Sequence, residues 1–338
     1  MAFEIVARIA SLLSSHLVVS SSLPFSNKGK QPAIQLHPHV DPASVIPSAE
    51  KEQGLTSLLL APSPSSFTSL VPSLGALSGR PIAVHVGLPT SFDLTPVLAL
   101  RSSGWVIIKS ETTGAHGKET HDTALLVSKL AKESKRAVLH IYTVQDDTAA
   151  NGNGTTNGNG VHASEEELSN EAITEFFNAA PIALNGAAAQ SSSDVAESEV
   201  EALADYEAAA LATLKLTRRA QKPYVHTESG GQIETLLVAF GLNVTPLVKA
   251  VPHLQNTGVL SINLLRPVAP SKLLAVIPTS VKKIIVLEQA YKNTTRWGAV
   301  FVDVLNALQA RAESHGEQMP EIVGGILGSV KGSDEALQ

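Results

Sequence analysis

Short runs of β-branched residues alternate with amphipathic stretches through most of this chain, most plainly between Gly258 and Asn306. Val259-Leu260-Ser261-Ile262-Asn263 and Ile284-Ile285-Val286-Leu287-Glu288 are near-continuously apolar, as strands covered on both faces are. Between them Pro270-Ser271-Lys272 opens a stretch in which Leu273, Leu274, Ile277 and Val281 recur at helical spacing, with Ser271 able to cap the first turn. Strand, helix and strand within about 30 residues make a βαβ unit. The expectation is two adjacent, parallel, buried strands, with Ile285 in the core.

The same rhythm runs upstream. Strands are predicted at Leu55–Leu60, Pro81–Val86, Gly104–Ile108 and Ala137–Tyr142, with helices over Ser65–Ser78, Leu94–Ser102 and Thr120–Ser134. After a break the pattern resumes. A strand is read at Thr235–Phe240 and helices at Pro246–His253 and Ala299–Ala312. Glu321–Gly325 closes a second sheet. The fold class is therefore α/β: two three-layer α/β/α domains with mostly parallel sheets, separated by a linker.

The break spans 146–196. Asn151 to Gly160 is an Asn/Gly repeat and Ala187 to Ser193 is Ala/Ser-rich, a composition that cannot repay its ordering entropy. Between Ala137 and Leu214 there are 13 acidic residues and no lysine or arginine. The expectation is a disordered acidic linker over 146–196, with at most a transient helix over Glu165–Asn178. A strong helix then follows over 197–220, with Val200, Leu203, Tyr206, Ala210, Leu211, Leu214 and Leu216 near one face. At the other end, residues 1–22 read as an amphipathic docking helix with Ile5, Val6, Ile9, Leu12, Leu13 and Leu17 inward. Glu4 and Arg8 sit where a secretion signal would be basic, and no apolar run is long enough to span a bilayer. No lysine/arginine stripe with interleaved aromatics marks a nucleic-acid surface. A cytoplasmic protein without membrane or nucleic-acid partners is expected.

Several pieces of the opening stretch also carry a resemblance. Ile262-Asn263-Leu264-Leu265-Arg266-Pro267, Ile277 to Glu288, Val302-Asp303-Val304-Leu305 and Ile322-Val323-Gly324-Gly325 stand in the order and spacing of the second domain of pyruvate:ferredoxin oxidoreductases. Taken with Leu211 to Ser229, the whole chain resembles the N-terminal region of the haemoprotein (β) subunit of fungal NADPH-dependent assimilatory sulfite reductases. The resemblance implies a thiamine-fold-like domain over 23–145 and a Rossmann-like, transketolase C-terminal-like domain over 221–330. It also implies sirohaem, a [4Fe-4S] cluster and flavin in domains that these residues do not include. The remaining domains of the same enzyme and its flavoprotein subunit would be the partners.

The departures from that family decide the expected role. The chain has no cysteine, so disulfides, zinc–thiolate sites and cysteine-held clusters are excluded within it. The Gly-Asp-Gly metal motif of thiamine diphosphate enzymes is missing, and so is a flavodoxin-like phosphate loop. The expectation is a non-catalytic scaffold or assembly segment of a sulfite reductase subunit, or a truncated gene product. The alternatives are a partial 2-oxoacid:ferredoxin oxidoreductase-like protein with thiamine diphosphate-type domains, and a nucleotide or acyl-CoA binding module.

No residue reads as catalytic or as a metal ligand. Gly230, Gly231, Gly324 and Gly325 are weak cofactor candidates, because glycines after a strand let a phosphate approach the backbone. Gly324, Gly325 and Gly328 give G-G-x-x-G rather than G-x-G-x-x-G, so turn glycines are the plainer reading. His37, His39 and Asp41 lie in a proline-rich loop pattern, and His116, His121 and Asp122 in a polar turn before a helix. His85 and His140 sit mid-strand and read as buried, hydrogen-bonded histidines. Ser261 and Asp303 have no evident histidine partner, and Arg266 is expected to pin its loop to Glu288 or Asp303. With no redox centre in this inventory, the purified chain should show no sulfite reduction and no haem or flavin absorption. A visible absorption band on the isolated chain would overturn that expectation.

Overall fold

The computed structural model describes residues 2–20, 34–36, 54–61, 64–77, 80–111, 117–144, 168–179, 195–228, 232–242, 244–290, 297–316 and 318–327. The first sheet contains β1 (His16–Ser20), β2 (Ile34–Leu36), β3 (Thr56–Leu60), β4 (Ile82–Leu88), β5 (Val106–Ser110) and β6 (Val138–Thr143). These six strands pair in parallel, in the order β5-β6-β4-β3-β1-β2. Their near-unbroken apolar runs are buried along their length in β3 to β6, as the sequence pattern requires. Helices α1 (Ala2–Leu13) and α4 (Lys118–Ser134) cover one face. On the other lie α2 (Pro64–Gly75) and α3 (Thr95–Ala99).

The second sheet is built from β7 (Tyr224–Glu228), β8 (Thr235–Phe240), β9 (Thr257–Ile262), β11 (Lys283–Glu288) and β12 (Glu321–Ile326), ordered β12-β11-β8-β9-β7. Only β7 runs antiparallel. Helix α7 (Thr245–Ala250) lies on one face, while α8 (Pro270–Val276) and α9 (Ala299–His315) lie on the other. Glu288, at the end of β11, starts α9. Its carboxylate accepts the Ala299 and Phe301 N–H groups at 3.0 and 2.9 Å, satisfying donors that a helix leaves free. Gly298 permits that approach, since a Cβ there would stand 2.1 Å from Glu288 Oε1.

The expectation of mostly parallel sheets with helices on both faces holds; four details of the sequence reading do not. The βαβ strands β9 and β11 are parallel but not adjacent, because β8 runs between them. Ile285 is half-buried, whereas Ile284 and Val286 are the fully inward residues of β11. The N-terminal helix ends at Leu13, not at residue 22, and Leu17-Val18-Val19 form β1. Ser14 and Ser15 interrupt the helical face, and the β-branched pair is worth more as a buried strand beside β3. The long helix α6 (Val195–Thr217) buries Ala202, Tyr206, Ala209 and Thr213 and exposes Val200 and Leu211. It packs on α4, and Ala202, Tyr206 and Ala209 join the apolar cluster beneath it.

The linker and the separation of the two units are corrected as well. Within the stretch 146–196, Asn170–Asn178 is a helix, α5, capped by Ser169. Ile173 and Phe177 bury their side chains against α1. At its C-terminal end, Lys129 and Lys132 donate to the Phe176 and Phe177 carbonyls at 3.1 and 2.9 Å, where cations oppose the helix dipole. Residues 146–167 and 180–194 lie outside the described residues.

A seventh strand joins the first sheet from the second unit. This is β10 (Leu264–Arg266), which pairs antiparallel with β5, Leu264 opposite Ile108. Gln289 adds a second tie. Its side-chain amide donates to the Thr90 and Phe92 carbonyls at 2.8 and 2.7 Å and its oxygen accepts the Leu242 N–H at 2.7 Å. Apolar residues from both sheets form one continuous core. Replacing Ile284 by alanine should therefore cost about 3 kcal/mol, against about 1 kcal/mol for Ile285. Urea unfolding of the two variants checks this, and equal losses would place both residues at the same depth.

Candidate functional site

The two units meet over an open cleft of about 550 Å³. Its walls come from the end of β5, the start of α4, the segment after α6, and β7, α7 and β9 of the second sheet. Lys109 lies beneath it, fully buried at the end of β5. Its ammonium donates to Glu111 Oε1 at 2.6 Å and to Ser261 Oγ at 3.0 Å, and its N–H donates to the Asn263 carbonyl at 2.7 Å. A lysine in this position is tolerable only because a carboxylate and a hydroxyl replace its water. Glu111 is further held by the Thr245 hydroxyl at 3.4 Å.

Glu119, in the first turn of α4, lines the cleft. Its Oε1 accepts the Glu111 N–H at 3.4 Å. Burial raises its pKa to about 7, and Lys109 holds the rise in check. The other wall carries Asp122 and Arg219, joined by two hydrogen bonds of 2.7 Å. His121 Nδ1 lies 3.0 Å from Asp122, while its buried Nε2 meets no partner among the described residues. Val225, Val244 and Val248 supply an apolar side.

On the face of the first sheet that α1 and α4 cover runs a polar row. His85 Nδ1 and His140 Nδ1 are 3.1 Å apart across β4 and β6, and His140 Nε2 meets Ser110 Oγ at 2.8 Å. The pair has the hydrogen-bonded, buried character expected of it. Burial depresses His85 to a pKa of about 3 and places His140 well below its ordinary value.

Of the residues singled out in the sequence, Ser261 and Asp122 reach the cleft, and His121 packs beside Asp122. Gly324 and Gly325 sit inside β12, opposite Val286 and Leu287, rather than in a turn after it. Gly324 faces the Phe301 ring and Gly325 faces Leu287. Arg266 bonds Asp303 at 2.9 and 3.0 Å, not Glu288, which serves α9. Gly230, Gly231, His37, His39, Asp41 and His116 lie outside the described residues. Sequence reasoning missed Lys109, Glu111 and Glu119. For Lys109 and Glu111 the signal was present in Trp105-Val-Ile-Ile-Lys-Ser-Glu111: a lysine inside an apolar strand with a glutamate two residues on, hence on the same face.

No protein-family model matches the chain. It is 28% identical over 339 aligned residues to the sulfite reductase [NADPH] subunit beta of Schizosaccharomyces pombe, an alignment covering 90% of this chain. The alignment takes in 22% of that protein, so the chain spans about a fifth of the curated relative's length. Among solved structures, a split-gene transketolase in an inactive β4 tetramer superposes with a TM-score of 0.50 at 11% identity, covering 97% of this chain and 90% of that one. A 2-oxoglutarate:ferredoxin oxidoreductase from Magnetococcus marinus gives 0.49 at 12% identity, covering 97% and 61%. The transketolase likeness agrees with the observed α/β layers and strand arrangement. Among the described residues, no helix is long and apolar enough to cross a membrane.

The histidine pair has a pH consequence. Both rings stay neutral in the fold, while unfolded histidine takes up a proton near pH 6.5. The unfolded state therefore binds more protons below that pH, so their contribution to stability is complete above 6.5 and is lost progressively toward pH 3. Glu119 acts oppositely, favouring the fold less as pH rises from 4.5 to about 7. Thermal melting at pH 7.5 and 5.0 should show a smaller acid-induced loss in His85→Asn than in the parent. An equal loss in both would assign the effect to other groups.

Proposed function

We propose that this chain is the non-catalytic assembly segment of a sulfite reductase β-type polypeptide, which reduces sulfite to sulfide in sulfate assimilation. The observation that carries the reading is the alignment with the Schizosaccharomyces pombe β subunit, which runs through both sheets rather than one. The resemblance to a paired, degenerate pyruvate:ferredoxin oxidoreductase-like front end supports the same placement. The residue inventory restricts the role. A thiolate-held cluster coupled to sirohaem needs cysteine ligands, and these residues include none. The family's electron-transfer steps therefore belong to other domains, in the same polypeptide or in the flavoprotein subunit, in the cytoplasm.

A rigid two-sheet body suits assembly. Its sheets are fastened by β10 and Gln289, so a partner that docks on one unit is positioned relative to the other. Trp297, Val323 and Ile326 on the second unit, with Val200 and Leu211 on α6, leave apolar surface exposed for such contacts. Deleting the corresponding segment from a full-length β subunit should weaken subunit association, read by sedimentation, while sirohaem absorption of the remainder persists. If the shortened enzyme assembles and turns over like the intact one, the assembly role is wrong.

A further inference from the structure

The second sheet ends in an edge that is built for pairing. β12 bonds β11 on one side, and among the described residues no strand lies on its other side. The bonds to β11 fix which backbone groups point away. The Glu321 N–H donates to the Lys282 carbonyl and the Leu327 N–H to the Glu288 carbonyl, both at 2.8 Å. Along a strand these groups alternate between the two sides. Residues 321, 323, 325 and 327 therefore turn them to β11, and Ile322, Gly324 and Ile326 turn theirs outward. Sheets usually protect such an edge with lysine, proline, a bulge or a covering segment. β12 runs Glu-Ile-Val-Gly-Gly-Ile in unbroken register, and its one charge, Glu321, is paired with Lys283 at the strand's end. Val323 and Ile326 are exposed, and exposed Trp297 stacks on the Phe301 ring that covers Gly324.

We infer that this edge joins a second copy of the chain, β12 against β12, in a two-fold dimer with one continuous sheet. A two-fold axis through Gly324, normal to the sheet, makes the strands antiparallel. Gly324 then stands opposite its own copy and Ile322 opposite Ile326, so every outward N–H meets an outward carbonyl. The side chains select the copy as the partner. Val323 falls opposite Gly325, which has no side chain to oppose it, and Ile322 meets Ile326 as an apolar cross-strand pair. The two Glu321 carboxylates end about 20 Å apart, so no like charges meet. A shift of two residues either way leaves one of the three outward residues outside the pairing. The contact gives the assembly role proposed above its first partner and rests on that reading for its place in an enzyme. Its geometry belongs to this chain alone.

Sedimentation equilibrium of the full 338-residue chain tests the contact. At about 100 μM, the range of weak interfaces, the chain should run as a monomer–dimer mixture. Gly324→Pro removes an N–H that β11 does not use, a place where an edge strand tolerates proline. It should weaken the dimer at least about tenfold while melting like the parent. Ile326→Lys, at an exposed position, should weaken it likewise by supplying the usual edge protection. The chain has no cysteine, so single introduced ones report distance. A Cβ at Gly324 meets only the Phe301 ring, at 3.4 Å. A short bismaleimide should couple two Gly324→Cys chains, whose α-carbons lie about 5.5 Å apart in a hydrogen-bonded pair, and should leave Glu321→Cys uncoupled. A parent that is monomeric, or that forms only larger oligomers, overturns the proposal. So do undiminished dimers in a folded Gly324→Pro or Ile326→Lys, or equal coupling of Glu321→Cys. None of these outcomes alters the deletion test on the full-length β subunit, so the two readings fail separately.

Discussion

The three-residue pairing of Leu264 to Arg266 with β5 is the contact on which the rest of the architecture depends. Without it the chain would hold two α/β sandwiches joined by a long connection. With it, the second unit completes the edge of the first sheet and covers backbone groups that an edge strand leaves open. The register then brings Asn263 to Lys109 and Arg266 to Asp303 and the Arg101 carbonyl. Gln289 repeats the logic at the far side, with both amide hydrogens and its oxygen bonded to backbone groups of the two units. Apolar burial between the sheets follows once these polar groups are satisfied.

The polar residues at this seam are costly, and their arrangement shows what the cost secures. A buried lysine–glutamate pair adds little net stability over an apolar pair of similar shape. Lys109 and Glu111 instead hold Ser261 and Thr245 at fixed positions on the opposite unit and keep the cleft wall in one geometry. The same environment raises the Glu119 pKa, since burial penalises its charged form. A scaffold that needed only rigidity would fill this space with valine and leucine. The seam keeps a polar wall and an open volume instead, which is how ligand sites between domains are made.

Most of the strands and helices were legible because each carries its own periodic signal. Thr235–Phe240 and Lys283–Glu288 announce themselves as strands covered on both faces, and α4 and α9 as amphipathic helices. What escaped were elements whose identity depends on a distant partner. Leu264–Arg266 is too short to read as a strand until β5 lies beside it, and Tyr224–Glu228 alternates weakly because it is an edge. The α6 face was misassigned because Val200 and Leu211 were counted inward with Tyr206, whereas the buried side is carried by Ala202, Tyr206, Ala209 and Thr213.

The amino-acid order by itself determined the class of this protein: alternating apolar runs require layered α/β structure, and the missing cysteines remove cluster chemistry from it. It also marked His85 and His140 as interior residues, since a histidine inside an apolar strand has nowhere else to go. Tertiary structure alone decided which strands are neighbours, and so that β8 separates β9 from β11. It also decided that the units share a core and that Lys109, Glu119 and Ser261 converge on one cleft. The physical reason is range. Periodicity is a property of neighbouring residues, while strand order and clefts are set by residues far apart in the chain, as Lys283 beside Thr235 or Lys109 against Ser261, whose contacts become favourable only once the sheets exist.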